Sequence, residues 1–160
     1  MIHKNTLGRF LAAALISLSA SSVLALTPQE QGLQIAQQAK QRDTGWVDNT
    51  ADMQMVLRNP QGQSSERQLK IKTLEQKNDG DKALIIFNHP KDIKGTAFLS
   101  FSHPVGSDDQ WLYLPSLKRI KRISSHNKSG PFMGSEFAFE DLSSFEVKKY
   151  TYKYLGDETV

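Results

Sequence analysis

From Met53 onward the hydrophobic residues of this chain recur with a period of two, and this constrains the fold more than any other feature. Met53, Met55 and Leu57 alternate with Gln54 and Arg58, and Leu69, Ile71 and Thr73 alternate with Lys70 and Lys72. Such alternation marks strands with one buried face. Residues 83–87 (ALIIF) are apolar without a break, as in a central strand. Residues 96–102, 111–114, 117–123 and 145–154 read as further strands, the last with Tyr150, Tyr152 and Tyr154 on one face. Turn formers separate them: Asn59-Pro60-Gln61-Gly62, Asn78-Asp79-Gly80, His89-Pro90 and Pro115-Ser116. Links this short join antiparallel neighbours.

One helix precedes the strands. Thr27 can cap it, Pro28 suits its first position and Glu30 completes a capping box. Leu33, Ala36 and Ala39, with Ile35, form an apolar stripe as far as Arg42, and Gly45 ends it. The expected fold is α+β, mainly β: a curved antiparallel sheet of about seven strands in meander order, a half-barrel covered by the N-terminal helix. Its concave face should be apolar and its outer face polar.

A length of 160 residues allows one ordinary domain. The absence of cysteine excludes a disulfide framework, a thiol nucleophile and thiolate metal sites. Compartment is read from the N-terminus. Lys4 and Arg9 form a positive region, 10–18 is apolar, and Val23-Leu24-Ala25 is a small-residue cleavage site. The apolar run is shorter than the ~20 residues of a membrane span. Residues 1–25 are therefore expected to be a cleaved signal peptide, and 26–160 a periplasmic domain. No cysteine follows the cleavage site, so the mature chain should not itself be lipidated. A final strand so close to Val160 would leave an open edge, and the expectation is a domain incomplete at its C-terminus.

Charge argues against nucleic acid. The 20 Lys and Arg face 17 Asp and Glu, and without the signal the balance is 18 against 17. The basic character is local: 110–135 holds five cations (Lys118, Arg119, Lys121, Arg122 and Lys128) and no acid. Enzyme signals are absent. His89, His103 and His126 lie in loops at uneven spacing, without a metal pattern. Ser125-His126-Asn127-Lys128 and Lys128-Ser129-Gly130 mimic serine β-lactamase strings, but they overlap where that mechanism needs separate elements. Asp108 and Asp109 are adjacent, so on a strand they face opposite ways. The chain reads as no enzyme, with no cofactor and no metal.

Two stretches invite a binding role. The basic run is either a charged strand blunted against edge pairing or a cationic rim for a lipid phosphate or an acidic partner. The apolar loop 129–141 is either core under a long loop or a lid over a hydrophobic cavity. On the functional reading Phe98, Phe101, Trp111, Tyr113, Phe132 and Met133 line the cavity or lid, and Arg119, Lys121 and Arg122 meet a head group or partner.

The strings 87–99 (FNHPKDIKGTAFL), 109–115 (DQWLYLP) and 128–137 (KSGPFMGSEF) resemble the outer-membrane lipoprotein-sorting protein family, the LolA-like group linked to exporters of the resistance–nodulation–division type. The likeness runs from about Trp46 to Tyr154. It implies a half-barrel holding acyl chains in its concavity. It also implies a monomeric periplasmic carrier of lipids or lipoproteins, touching membranes transiently, between inner and outer membrane or beside such an exporter. The alternative is an accessory module that docks on an envelope exporter without lipid cargo of its own. Members of the group are longer than this chain.

Overall fold

The computed structural model describes residues 25–159, so the expected signal peptide lies almost wholly outside it. Helix α1 spans Pro28–Arg42. Strands β1 (Asp48–Arg58), β2 (Ser64–Leu74), β3 (Lys82–His89), β4 (Ala97–Phe101), β5 (Asp109–Leu114) and β6 (Arg119–Ile123) follow. The six form one open antiparallel sheet in chain order. The α+β, mainly β meander expected from the sequence is therefore what forms.

Helix α1 starts as its capping box requires. The Thr27 hydroxyl accepts from the Glu30 N–H at 3.2 Å, and the Glu30 carboxylate accepts from the Thr27 N–H at 2.8 Å. Its apolar stripe is barely used: Ala36 alone is buried, while Leu33 and Ile35 stay exposed. The main cover of the sheet is instead residues 128–145, a run of short 3₁₀ turns. Phe132 from this segment enters a buried cluster with Leu69, Ile85, Phe87, Phe98, Leu112 and Ile123. Its ring lies 5.8 Å from Phe87, 5.4 Å from Phe98 and 5.6 Å from Phe139. Tilted and edge-on pairs at this spacing are favourable aromatic contacts.

Three further expectations need correction. First, the described residues hold six strands, and 145–154 is not among them. After a 3₁₀ turn at Val147–Lys149, the chain runs extended along α1, where the Tyr154 N–H donates to the Pro28 carbonyl at 2.8 Å. The alternating tyrosines serve packing there: Phe145 stacks on Tyr150 at 5.6 Å and meets Tyr152 edge-on. Gly32 permits the approach, since a Cβ would lie 2.9 Å from the backbone nitrogens of Lys153 and Tyr154. Second, the outer face of the sheet is not polar. Register places Leu84, Leu99 and Trp111 side by side there, next to Ala97 and Tyr113. β3, β4 and β5 carry large apolar residues in both phases of their alternation, so both faces have an apolar area. Third, Lys128 is no solvent-facing cation; it is buried.

Gly80 sets the joint between β3 and β4. A Cβ there would come 2.5 Å from the Ser102 backbone carbonyl, and the Ser102 N–H donates to Asp81 O at 3.0 Å.

Candidate functional site

The cover is held by local chemistry that its sequence dictates. Met133 takes a left-handed φ of 50° and Gly134 one of 77°, which folds 132–137 back on itself. The Phe132 N–H then donates to Phe137 O at 2.6 Å, and the Ser135 hydroxyl to Phe132 O at 2.7 Å. Arg67 of β2 donates to Met133 O at 2.5 Å. A polar rung crosses the otherwise apolar interior: buried Gln110 donates to Phe139 O at 2.8 Å and to the Ser143 hydroxyl at 3.0 Å. Lys128 reaches the Asp108 carbonyl at 2.7 Å, and Lys149 pairs with the Asp108 carboxylate. Burial pushes the Asp108 carboxyl up, but the Lys149 ammonium and the His103 N–H outweigh it and hold the group below the usual carboxylate range.

The six aromatic and methionine candidates do not converge. Phe98 and Phe132 sit in the core under the cover at 0 % and 1 % exposure, with Met133 packed against it. Trp111 and Tyr113 lie on the opposite, outer face, and Phe101 shares it, meeting Trp111 edge-on at 5.3 Å. The three cations divide as well. Arg119 and Lys121 share one face of β6 and are exposed; Arg122 stands across from Trp111 and pairs with Asp109.

Two concavities among the described residues have mainly apolar walls. One is a cleft of about 330 Å³ between the covered sheet face, the cover and the end of α1, walled by Trp46, Ile71, Ala83, Ile85, Leu142 and Phe145. At its mouth Lys40 lies 3.6 Å from Asp81 and 3.4 Å from Glu146, tying α1 to the β2–β3 turn and to the cover. The sequence reading missed this wall. Its legible signals were the alternation that turns Ile71 inward and the apolar run that holds Ala83 and Ile85; Trp46 and Phe145 lie outside the strands. The other is an open groove of about 500 Å³ on the outer face, walled by Leu84, Ala97, Leu99, Trp111, Tyr113 and Ile120.

His103 joins two carboxylates. His103 Nδ1 lies 3.0 Å from Asp79 and Nε2 3.3 Å from Asp109. Hydrogen bonds to Asp79, then to Asp109, raise the His103 pKa. His103 lowers that of Asp79, and Arg122, then His103, lower that of Asp109.

Comparison with known proteins decides the family. Residues 79–160 match a family model described as "-like: Uncharacterized protein". A crystal structure of an outer membrane lipoprotein-sorting protein domain from Vibrio parahaemolyticus is 62 % identical, with a TM-score of 0.79 over 81 % of this chain and 55 % of that one. The chain belongs to the outer-membrane lipoprotein-sorting, LolA-like family. A DUF1329 family protein from Desulfovibrio piger superposes on this LolA-like chain with a TM-score of 0.78 at 30 % identity, over 84 % of this chain and 57 % of its own. The LolA-like chain spans a little over half the length of both solved structures. No curated protein matches its sequence. Among its described residues no helix is long and apolar enough to cross a membrane, and no group of His, Cys, Asp and Glu is arranged to hold a metal ion.

Proposed function

We propose that this LolA-like chain is a periplasmic carrier. In this reading it holds an acyl chain of a lipid or lipoprotein in the cleft between the sheet and the 128–145 cover. The observation that carries the reading is the cleft itself: apolar walls from β2, β3 and the cover face each other across about 330 Å³ of open space. Ligand pockets run from about 300 to 1,000 Å³. Burial of an acyl chain gains about 0.8 kcal/mol per CH₂, so a long chain is held without a covalent bond. The name of the 62 % identical relative supports a role in the cell envelope. Delivery would run between the inner and outer membranes or beside a resistance–nodulation–division exporter, with the protein as a monomer and no reaction catalysed.

Native mass spectrometry of protein taken from cells, with uptake of a fluorescent fatty acid, tests the reading. Ile71→Trp, which fills the cleft from a half-buried position, should abolish uptake and leave the fold intact. Protein that emerges empty and takes up no probe would sink the proposal. Arg119 and Lys121, exposed and without an ion pair among the described residues, favour a second role in docking an acidic partner. Reversing both charges should then abolish capture of an exporter subunit while fatty-acid uptake survives.

A further inference from the structure

We infer that the outer face of the sheet is a docking surface for an anionic bilayer. Strand register lays out two adjacent rows on this face. One reads Lys72, Leu84, Leu99, Trp111, Arg122 across β2 to β6. The next reads Lys70, Ile86, Ala97, Tyr113, Ile120. Each row starts with a lysine on β2 and is apolar across β3, β4 and β5. With strands about 4.8 Å apart, the apolar band is roughly 10–15 Å wide. It is an open groove, not an enclosed cavity, and its edge is exposed: Ile120 at 71 %, Leu117 at 61 % and Tyr113 at 38 %.

The charges beside the band favour an anionic partner. Asp52 is paired with Lys70 at 2.8 Å, and Asp109 with Arg122 and His103. Asp48 and Glu66 lie further out, on β1 and at the start of β2, with Glu66 bonded to Gln54. Lys72 and Lys82 have no ion pair among the described residues, and the Lys82 ammonium sits 4.6 Å above the Phe101 ring. Lys118 stands next to Leu117 in the β5–β6 turn. Tryptophan and tyrosine beside aliphatic residues, fringed by lysine, is the composition that partitions to the boundary between acyl chains and anionic head groups. The surface lies on the opposite side of the sheet from the cleft, so it stands or falls independently of the carrier reading.

Flotation with vesicles tests it, using phosphatidylcholine alone or mixed equally with phosphatidylglycerol. The chain should float with the mixed vesicles, and added salt should release it. Replacing Lys72 and Lys118 by Gln should weaken binding about 25-fold, at about fivefold per lysine. Ile120→Asp should abolish it, and Leu117→Ser should weaken it in case Ile120→Asp fails to fold. Ile71→Trp, altered only in the cleft, should still float. Equal binding to both vesicles, no binding to either, or variants that bind like the parent would overturn the inference. So would a dimer seen by light scattering that Ile120→Asp dissolves in a chain that ignores vesicles, because a second copy would then cover the band.

Discussion

Removing the Phe132 ring measures how far the 128–145 cover belongs to the cooperative core. The segment has no helix beyond single 3₁₀ turns and no strand, only an isolated bridge between Pro131 and Ala138, so local hydrogen bonds alone would leave it free to open. Phe132 is 1 % exposed and touches three other phenylalanine rings between 5.4 and 5.8 Å away. A buried Phe→Ala exchange costs about 3–5 kcal/mol, because the lost transfer energy is joined by a cavity that the rigid strands below cannot close. At roughly 3–4 °C per kcal/mol for a domain of this size, Phe132→Ala should melt about 10–20 °C lower. Urea titration should show the midpoint falling with little change in slope. A loss under about 1 kcal/mol, the range of ordinary surface changes, would refute the reasoning. The cover would then be detached from the sheet's cooperative unit, and the cleft beneath it would have no fixed wall.

Gly32→Ala sets two effects against each other. In a helix interior alanine gains about 1 kcal/mol over glycine. Here its Cβ would meet the Lys153 and Tyr154 backbone nitrogens at 2.9 Å, so the exchange should free the 150–155 segment and speed amide exchange at Tyr154; a higher Tm with Tyr154 still protected would contradict this. His103→Gln tests the ion-pair chain through pH. A raised histidine pKa stabilises the fold fully below the ordinary 6.5, and the effect is lost as pH rises through the raised value. Asp79 and Asp109 are lowered, so they contribute above their ordinary 3.8 and lose it as pH falls through their depressed values. The Tm gap between parent and variant should be widest at about pH 5, roughly midway in that window, and should narrow on the alkaline side. A gap independent of pH would count against the bridge.

Much of this was legible in the chain because the signals are local. The Thr27 to Glu30 box caps α1 as written, and alternation in β1 and β2 identifies strands on a half-solvated sheet. Faces were harder. Phe98 and Trp111 both read as aromatic strand residues, yet pairing Leu99 with Trp111 sends them to opposite sides. That depends on register, which no single strand encodes. The tyrosines of 150–154 alternate like a strand because extended chain has that period with or without a sheet partner; Tyr150 and Tyr152 pack on Phe145, and the segment is tied by the Tyr154 N–H to Pro28 of α1, distant in sequence. Lys128 looked like one more solvent cation because its acceptor, the Asp108 carbonyl, is a backbone atom with no compositional trace.

Apolar residues on both sides of β3 carry a cost in folding fidelity. A one-residue slip normally swaps a greasy face for a polar one and is rejected by water. In β3 the swap exchanges Leu84 and Ile86 for Ile85 and Phe87, and water can hardly tell the difference. Discrimination then falls to sterics at the strand's start. The only neighbours that a slip can bring against the Ser102 carbonyl, Asp79 and Asp81, carry a Cβ where there is no room for one. Gly80 thus works as an alignment key. Its missing side chain selects the native pairing, a task that hydrophobic patterning performs in most sheets.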